Sequence, residues 1–114
     1  ANIQALAWAR AQGAECFIIG EGCALTAIAD GDALRFADRY RGDFSAFCPG
    51  PAAAGVSARG LYYRLDRAVL TAAFPLGVSN SFTGEAAEIS VGRGTLIVYW
   101  QDDPALPLPE RGKI

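Results

Sequence analysis

Short alternating segments, each ended by a strong turn signal, constrain the fold of this chain more than any other feature. Apolar and polar residues alternate in 33–40 and again in 43–48, and the second run ends at Pro49-Gly50-Pro51. Alternation with a period of two is typical of strands that bury one face, and Pro and Gly interrupt strands. About eight such segments at regular spacing predict a mostly β fold, an antiparallel β-sandwich or flattened barrel.

Two connections between these segments carry hairpin signals. Asp30-Gly31 separates two predicted strands, and the loop 92–94, which reads Gly-Arg-Gly, joins two more. Such residues adopt positive φ easily and therefore favour tight antiparallel hairpins. We expect each of the two strand pairs to be neighbours in one sheet.

The first residues follow a different pattern. Residues 1–12 are rich in Ala with apolar residues at helical spacing, Asn2 suits the N-cap, and Gly13 suits the stop. A short apolar strand at 15–19 follows, so a helix and a strand precede the β-rich part. This order is typical of an α/β layer, and without an initiator Met it favours the inside of a longer protein.

The last residues, 102–114, contain three of the six prolines. Because Pro has no N–H to donate to a β-ladder, we expect this tail to be extended or disordered and to stay outside the sheets.

Composition narrows the function. The net charge of −2 and pI of about 5.0 disfavour nucleic-acid binding, which usually needs a basic face. No apolar run approaches the ~20 residues that span a bilayer, and no signal peptide is evident, so we expect neither membrane insertion nor secretion. Three cysteines, an odd number without C-x-x-C spacing, indicate free thiols in a reducing compartment, and we expect a cytoplasmic protein.

Histidine is absent, which excludes Ser-His and Cys-His catalysis within the chain and removes the commonest metal ligand. Arg41-Gly42-Asp43 spells an adhesion tripeptide but leads into a strand, and Gly42-Asp43 offers one carboxylate, a poor Mg²⁺ site. Tyr62 and Tyr63 are neighbours on a predicted strand, so we expect one in the core and one on the surface. We predict no catalytic and no metal-binding residue in this chain.

Three motifs in the second half resemble one known family. Residues 60–65 read Gly-Leu-Tyr-Tyr-Arg-Leu, 77–84 read Gly-Val-Ser-Asn-Ser-Phe-Thr-Gly, and 94–98 read Gly-Thr-Leu-Ile-Val. These resemble a strand, a Ser-Asn loop and a closing hairpin of the C-terminal, thiamin-binding domain of thiamin pyrophosphokinases. The likeness extends less specifically over about residues 1–100.

The resemblance implies thiamin as the ligand, and we predict three binding residues, two on the family's Ser-Asn loop and one chosen for its aromatic ring. Ser79 and Asn80, on the Ser-Asn loop, offer donor and acceptor groups that can match the edge of the aminopyrimidine. Trp100 is the candidate to stack on the flat thiazolium cation, with Phe82 in reserve.

The resemblance also implies an enzyme that transfers pyrophosphate from ATP to thiamin, with ATP and Mg²⁺ held by an N-terminal α/β domain whose aspartate motifs this chain lacks. Residues 1–20 would then be the end of that catalytic domain, 21–101 the thiamin-binding β-sandwich, and 102–114 the Pro-rich tail. The resemblance further implies that two copies of the protein form a homodimer. It also implies that this chain by itself has no kinase activity. The alternatives are a β-sandwich that serves only association, and, less favoured, a general small-molecule or carbohydrate module.

Overall fold

A computed structural model describes residues 3–72 and 80–114. One helix and ten strands occur in this part of the chain: α1 (Ile3–Ala11), β1 (Phe17–Ile19), β2 (Cys23–Ala29), β3 (Asp32–Phe36), β4 (Asp43–Phe47), β5 (Ala52–Arg59), β6 (Leu65–Thr71), β7 (Asn80–Ser81), β8 (Ala87–Ser90), β9 (Thr95–Gln101) and β10 (Glu110–Lys113). None of the described helical residues forms a segment long and apolar enough to cross a membrane.

The strands form two five-stranded antiparallel sheets. The first sheet has the order β1-β2-β9-β4-β7, and the second has the order β10-β3-β8-β5-β6. The sheets face each other as an unclosed sandwich, so the predicted mostly β, sandwich-like class is confirmed.

The two predicted hairpins are wrong. β2 and β3 flank Asp30-Gly31 but belong to different sheets, and so do β8 and β9 on either side of the loop 92–94. The turns do form, with φ of 32° at Asp30 and 88° at Gly31, yet their hydrogen bonds go elsewhere. Gly31 N–H donates to the Val91 carbonyl at 2.7 Å, so the two turns bind each other where the chain crosses between sheets.

The interior between the sheets is built around aromatic rings. Phe36 contacts Tyr40, Phe44, Phe82 and Trp100, with ring centroids 5.2–5.7 Å apart and mostly edge-to-face geometry. Such pairs add attraction of roughly 0.5–1.5 kcal/mol each beyond the burial of their area. This cluster holds the two sheets at a fixed separation.

Helix α1 lies on the outer side of the first sheet. Leu6 packs there against Ala27 and Ile97. The helix ends as predicted at Gly13, whose φ is 87°, and Ala14 N–H bonds back to the Ala9 carbonyl at 2.9 Å. The predicted cap Asn2 and the residue before it lie outside the described residues.

The predicted strand after the helix is present as β1, but it joins the sandwich. Residues 17–19 pair antiparallel with 24–26 of β2, at the edge of the first sheet. The helix and β1 therefore contact the β domain directly. The assignment of 1–20 to a separate catalytic domain stays a prediction.

The expectation that the whole tail avoids β pairing is wrong for its last residues. β10 pairs with β3 over four residues, from Glu110 opposite Arg35 to Lys113 opposite Asp32. The reason is local, because a proline removes only its own donor and all three tail prolines precede residue 110. Upstream, the Tyr40 hydroxyl donates to the Pro107 carbonyl and fastens the segment to the core.

A buried carboxylate connects the helix to this last strand. Asp32 is fully buried and accepts two bonds from Arg10, at 2.7 and 2.9 Å, one from Lys113 at 2.7 Å, and one from the Ala29 N–H at 2.8 Å. Arg111 lies close by, with 3.8 Å between Nη1 and the carboxylate. Burial alone would raise the pKa of Asp32, but the bonds from Arg10, Lys113 and Ala29 outweigh it and hold the pKa far below its usual value.

Replacing Asp32 with Asn leaves Arg10, Lys113 and Arg111 without their carboxylate. We expect the free energy of unfolding at about pH 7 to fall by about 3–5 kcal/mol, as for other buried ion pairs that lose one partner. Urea denaturation measures it. Asp30→Asn is the matched control, because Asn keeps the oxygen that accepts the Gly94 N–H and should change stability little.

The same carboxylate should make the free energy of unfolding depend on pH in the acidic range. Because the pKa of Asp32 is depressed in the folded state, its contribution is complete above about pH 5 and is lost as the pH falls past the unfolded value of about 3.9 towards the folded one. The difference in unfolding free energy between the natural chain and Asp32→Asn should therefore shrink from about pH 5 to pH 2. A difference that stays constant over this range would contradict the proposed ionisation.

Gly60, just after β5, lies where two backbone segments come close together, its own and that of Ala86. Gly60 and Gly22 have nearly the same φ, 74° and 76°, but a Cβ on Gly60 would collide with the carbonyl of Ala86, whereas nothing lies within 4 Å of one on Gly22. Both Ala variants should lose about 1–2 kcal/mol from backbone strain. Gly60→Ala should lose about 1–3 kcal/mol more in denaturant unfolding, from overpacking. Equal losses would show that the approach to Ala86 is not tight.

Candidate functional site

Asn80, a predicted ligand residue, makes its hydrogen bonds within the chain. It lies in β7, only 2% exposed, and its amide pairs with the backbone of Tyr63. Oδ1 accepts the Tyr63 N–H at 2.9 Å, and Nδ2 donates to the Tyr63 carbonyl at 2.9 Å. The side chain thus acts like one more residue of a β-ladder and fixes the segment between β5 and β6.

That segment presents two tyrosines to solvent. Tyr62 is 68% exposed and Tyr63 is 57% exposed, and their rings touch edge-to-face with centroids 4.9 Å apart. We call this pair the tyrosine tip. The expectation that one of them is in the core is wrong, because residues 62 and 63 form a bend and not a strand, so alternation does not apply.

The tip is held from two sides. Besides the Asn80 amide, the Ser81 carbonyl accepts the Tyr62 N–H at 2.9 Å. Thr83 donates from its hydroxyl to the Gly60 carbonyl at 2.9 Å, which ties the start of the segment to the residues after β7. The tip is therefore exposed but anchored, which lowers the entropic cost of binding a ligand.

The two aromatic residues proposed as stacking partners lie inside the sandwich. Trp100 is completely buried and contacts Phe17 and Phe36, with centroids 6.1 and 5.2 Å away. Phe82 is 8% exposed and also contacts Phe36. Trp100 shares the inward face of β9 with Leu96 and Val98, which belong to the same core cluster. Its ligand role stays a prediction.

Ser79 lies outside the described residues, so its predicted role also stays a prediction. Asn80, which follows it in the chain, is the predicted site residue that the structure connects to an exposed surface. The signal missed in the sequence was Tyr62-Tyr63 itself, because two adjacent aromatic residues cannot both face one core from a strand.

The tyrosine tip offers a specific kind of chemistry. Exposed phenol rings can take a flat aromatic or cationic ring by stacking and cation–π attraction, and the hydroxyl groups can donate or accept hydrogen bonds. Within residues 3–72 and 80–114, no three His, Cys, Asp or Glu side chains come together as metal ligands would. The tip is thus an anchored aromatic surface that could stack against a flat ring.

The fold defines the class of the protein as an antiparallel β-sandwich, and one of its loops displays the anchored tyrosine tip. The sequence profile described as thiamin pyrophosphokinase, vitamin B1 binding domain, matches residues 36–96, more than half of the chain. The chain belongs to this family. The matched range contains the tyrosine tip and Asn80.

Solved structures with a similar fold carry the same family name. Thiamine pyrophosphokinase from Bacillus subtilis matches with a TM-score of 0.77 at 19% identity, over 89% of this chain and 47% of that one. The enzyme from Geobacillus thermodenitrificans matches with a TM-score of 0.64 at 20% identity, over 78% and 41%. This chain thus spans less than half the length of either structure, and at these identities the likeness is one of fold. No match was found among curated protein sequences.

The Asn80 amide gives a testable local effect. Asn80→Ala removes both bonds to the Tyr63 backbone, so we expect hydrogen exchange at the Tyr63 amide to accelerate and unfolding free energy to fall by about 1–3 kcal/mol. Exchange measured by NMR checks it. Ser81→Ala is the control, because the Ser81 carbonyl that binds Tyr62 is kept. Unchanged exchange at Tyr63 would show that the amide does not hold the tip.

Proposed function

We propose that this chain recognises thiamin through the tyrosine tip, as part of a thiamin pyrophosphokinase. The observation that carries the proposal is the pair of exposed rings at 62 and 63, anchored by Asn80 inside the range matched by the vitamin B1 binding domain family. Thiamin combines a flat aminopyrimidine with a cationic thiazolium, and phenol rings attract both.

The three predicted site residues take different parts in this proposal. Asn80 acts as a positioning residue, because both polar atoms of its amide already bind Tyr63. Ser79 keeps its proposed role as a donor or acceptor for the pyrimidine edge. Trp100 is buried and would reach thiamin only if the core opened, so we propose the tyrosines as the stacking surface and Trp100 as the alternative.

The activity proposed for the whole protein is transfer of pyrophosphate from ATP to thiamin. The thiamin hydroxyl oxygen would bond to the β-phosphorus of ATP, the bond from that phosphorus to the bridging oxygen of the α-phosphate would break, and AMP would leave as the hydroxyl loses its proton. The described residues do not form a Mg²⁺ site, so we propose that ATP and Mg²⁺ bind outside them. The isolated chain would then position thiamin without turnover.

Association of two copies is the second proposal. β6 follows the tyrosine tip in the chain and is an edge strand of the second sheet. The side chain of Val69 in β6 is 58% exposed. Exposed apolar and aromatic residues on an edge support a homodimer contact. The three free cysteines support a reducing, cytoplasmic location.

Titration calorimetry with thiamin tests the function. Tyr63→Ser should weaken thiamin binding by about 2- to 30-fold, the range expected for losing one cation–π contact. Trp8→Ser removes another exposed aromatic, on α1 at the first sheet, and should leave the affinity unchanged. Sedimentation of the same samples reports the oligomeric state.

The outcomes distinguish thiamin recognition by the tyrosine tip from a domain that serves only association. Thiamin binding that is weakened by Tyr63→Ser alone supports recognition by the tip. A dimeric sample that shows no heat with thiamin at millimolar concentration would contradict it and would favour a domain that serves only association. Loss of binding in a Trp100→Phe variant of unchanged stability, with Tyr63→Ser silent, would return the stacking role to Trp100.

A further inference from the structure

The outer face of the second sheet has an open groove that the proposed thiamin recognition does not use. Its volume is about 580 Å³, within the range of small-molecule sites. β5 contributes Ser57 and Arg59 to its lining, and β8 contributes Glu88 and Ser90. Neither ring of the tyrosine tip is part of the lining, so a ligand in this groove would be held by other groups.

Among the described residues, the charged side chains that line the groove balance each other. Arg59 and Arg64 carry two positive charges, and Asp66 and Glu88 carry two negative charges. Burial alone would raise the pKa of Glu88, but the hydrogen bonds from Arg59 and Arg35 outweigh it and lower the pKa, so Glu88 is ionised at neutral pH. Because the lining is neutral as a whole, it favours a ligand without net charge.

Part of the lining is rigid before any ligand binds. The two carboxylate oxygens of Glu88 accept hydrogen bonds from Arg59 and Arg35, at 2.8 and 2.7 Å. On the β6 side the pairing with β5 shifts register twice, and Arg67 has a φ of 48°, which is uncommon for a residue with a side chain. Groups that are already fixed lose little conformational entropy when they bind a ligand.

Other polar groups of the lining are available to a ligand. The Arg64 guanidinium makes no ion pair or hydrogen bond with any residue of the described ranges. The side chain of Asp66 is 88% exposed, with its carboxylate 3.6 Å from Arg67. Ser57 Oγ accepts the Arg67 N–H at 3.1 Å, so the Ser57 hydroxyl can donate its own hydrogen. The groove therefore offers planar donors, planar acceptors and a hydroxyl group.

Two aliphatic side chains complete the lining. They are Leu65, which is half-buried, and Ile114, which is 74% exposed. A sugar ring has a matching surface, because the hydroxyl groups at its rim both donate and accept hydrogen bonds while its C–H groups are apolar. It also carries no net charge, in agreement with the balanced lining.

We propose that this groove binds a neutral sugar of one or two rings. Arg64 donates to one pair of sugar hydroxyl groups, Asp66 accepts from another, and Leu65 and Ile114 contact the C–H groups of the ring. The proposal does not rest on thiamin recognition. A free amino acid, which has one charge of each sign, is the competing class of ligand, and the experiment includes it.

NMR titration of the isotope-labelled chain tests the proposal with four neutral disaccharides: maltose, cellobiose, lactose and sucrose. We expect at least one of them to bind with a Kd of about 1 mM and to shift the amide resonances of Ser57 and Asp66. Added salt should change this affinity little, because the ligand is uncharged. Leucine is titrated in the same way as the amino acid probe.

Two arginine variants identify the binding surface. Arg64→Gln should weaken sugar binding about tenfold, the effect of losing one hydrogen bond from a charged donor. Arg93→Gln removes the same charge outside the groove, where Arg93 pairs with Ala54 of β5, and should leave the affinity unchanged. Both side chains are exposed, so neither change should affect folding.

Each outcome supports or overturns the sugar site. Binding that Arg64→Gln weakens and Arg93→Gln does not would support it, whether or not the sample binds thiamin. No shift with any of the four sugars, at about fifty times the expected Kd, would overturn it and leave thiamin recognition intact. Sugar binding that Arg64→Gln leaves unchanged, or that both variants weaken equally, would also overturn it. Leucine binding without sugar binding would assign the groove to amino acids.

Discussion

The buried Asp32 carboxylate is the interaction on which the assembly of the sandwich depends. It joins three segments that are far apart in sequence: the helix through Arg10, the crossing between the sheets through Ala29, and the last strand through Lys113. A buried charge of this kind is stable only while its partners are present, so α1, the crossing between the sheets and β10 stabilise one another. The aromatic side chains around Phe36 can then pack between two sheets whose relative position is fixed.

Sequence patterns predicted the elements of this fold better than their connections. Alternation identified the strands because it reflects a local requirement, that one face of each strand is buried. Asp30-Gly31 correctly indicated a turn, but a turn does not specify whether the next strand pairs in the same sheet. That choice depends on contacts with Val91 and Gly94, about sixty residues away in the chain.

The candidate surface was predicted only in part, for the same reason. Asn80 was selected because an amide has both a donor and an acceptor, and the structure uses both, but on the backbone of Tyr63. Tyr62 and Tyr63 were expected on opposite faces of a strand, whereas a bend places both in solvent. Family resemblance selected the stretch of chain that contains Asn80 and the tyrosine tip, and the local backbone determines which side chains that stretch exposes.

The position of β10 affects how this domain can associate with other protein molecules. By lying along β3 it occupies the backbone groups on the outer side of that strand, over four residues. Without it, β3 would be an open edge able to recruit a strand from any neighbouring molecule. A tail that was expected to stay outside the sheets therefore provides the outermost strand, and this strand is short and charged, which makes it a poorer template for pairing with another molecule than β3 would be.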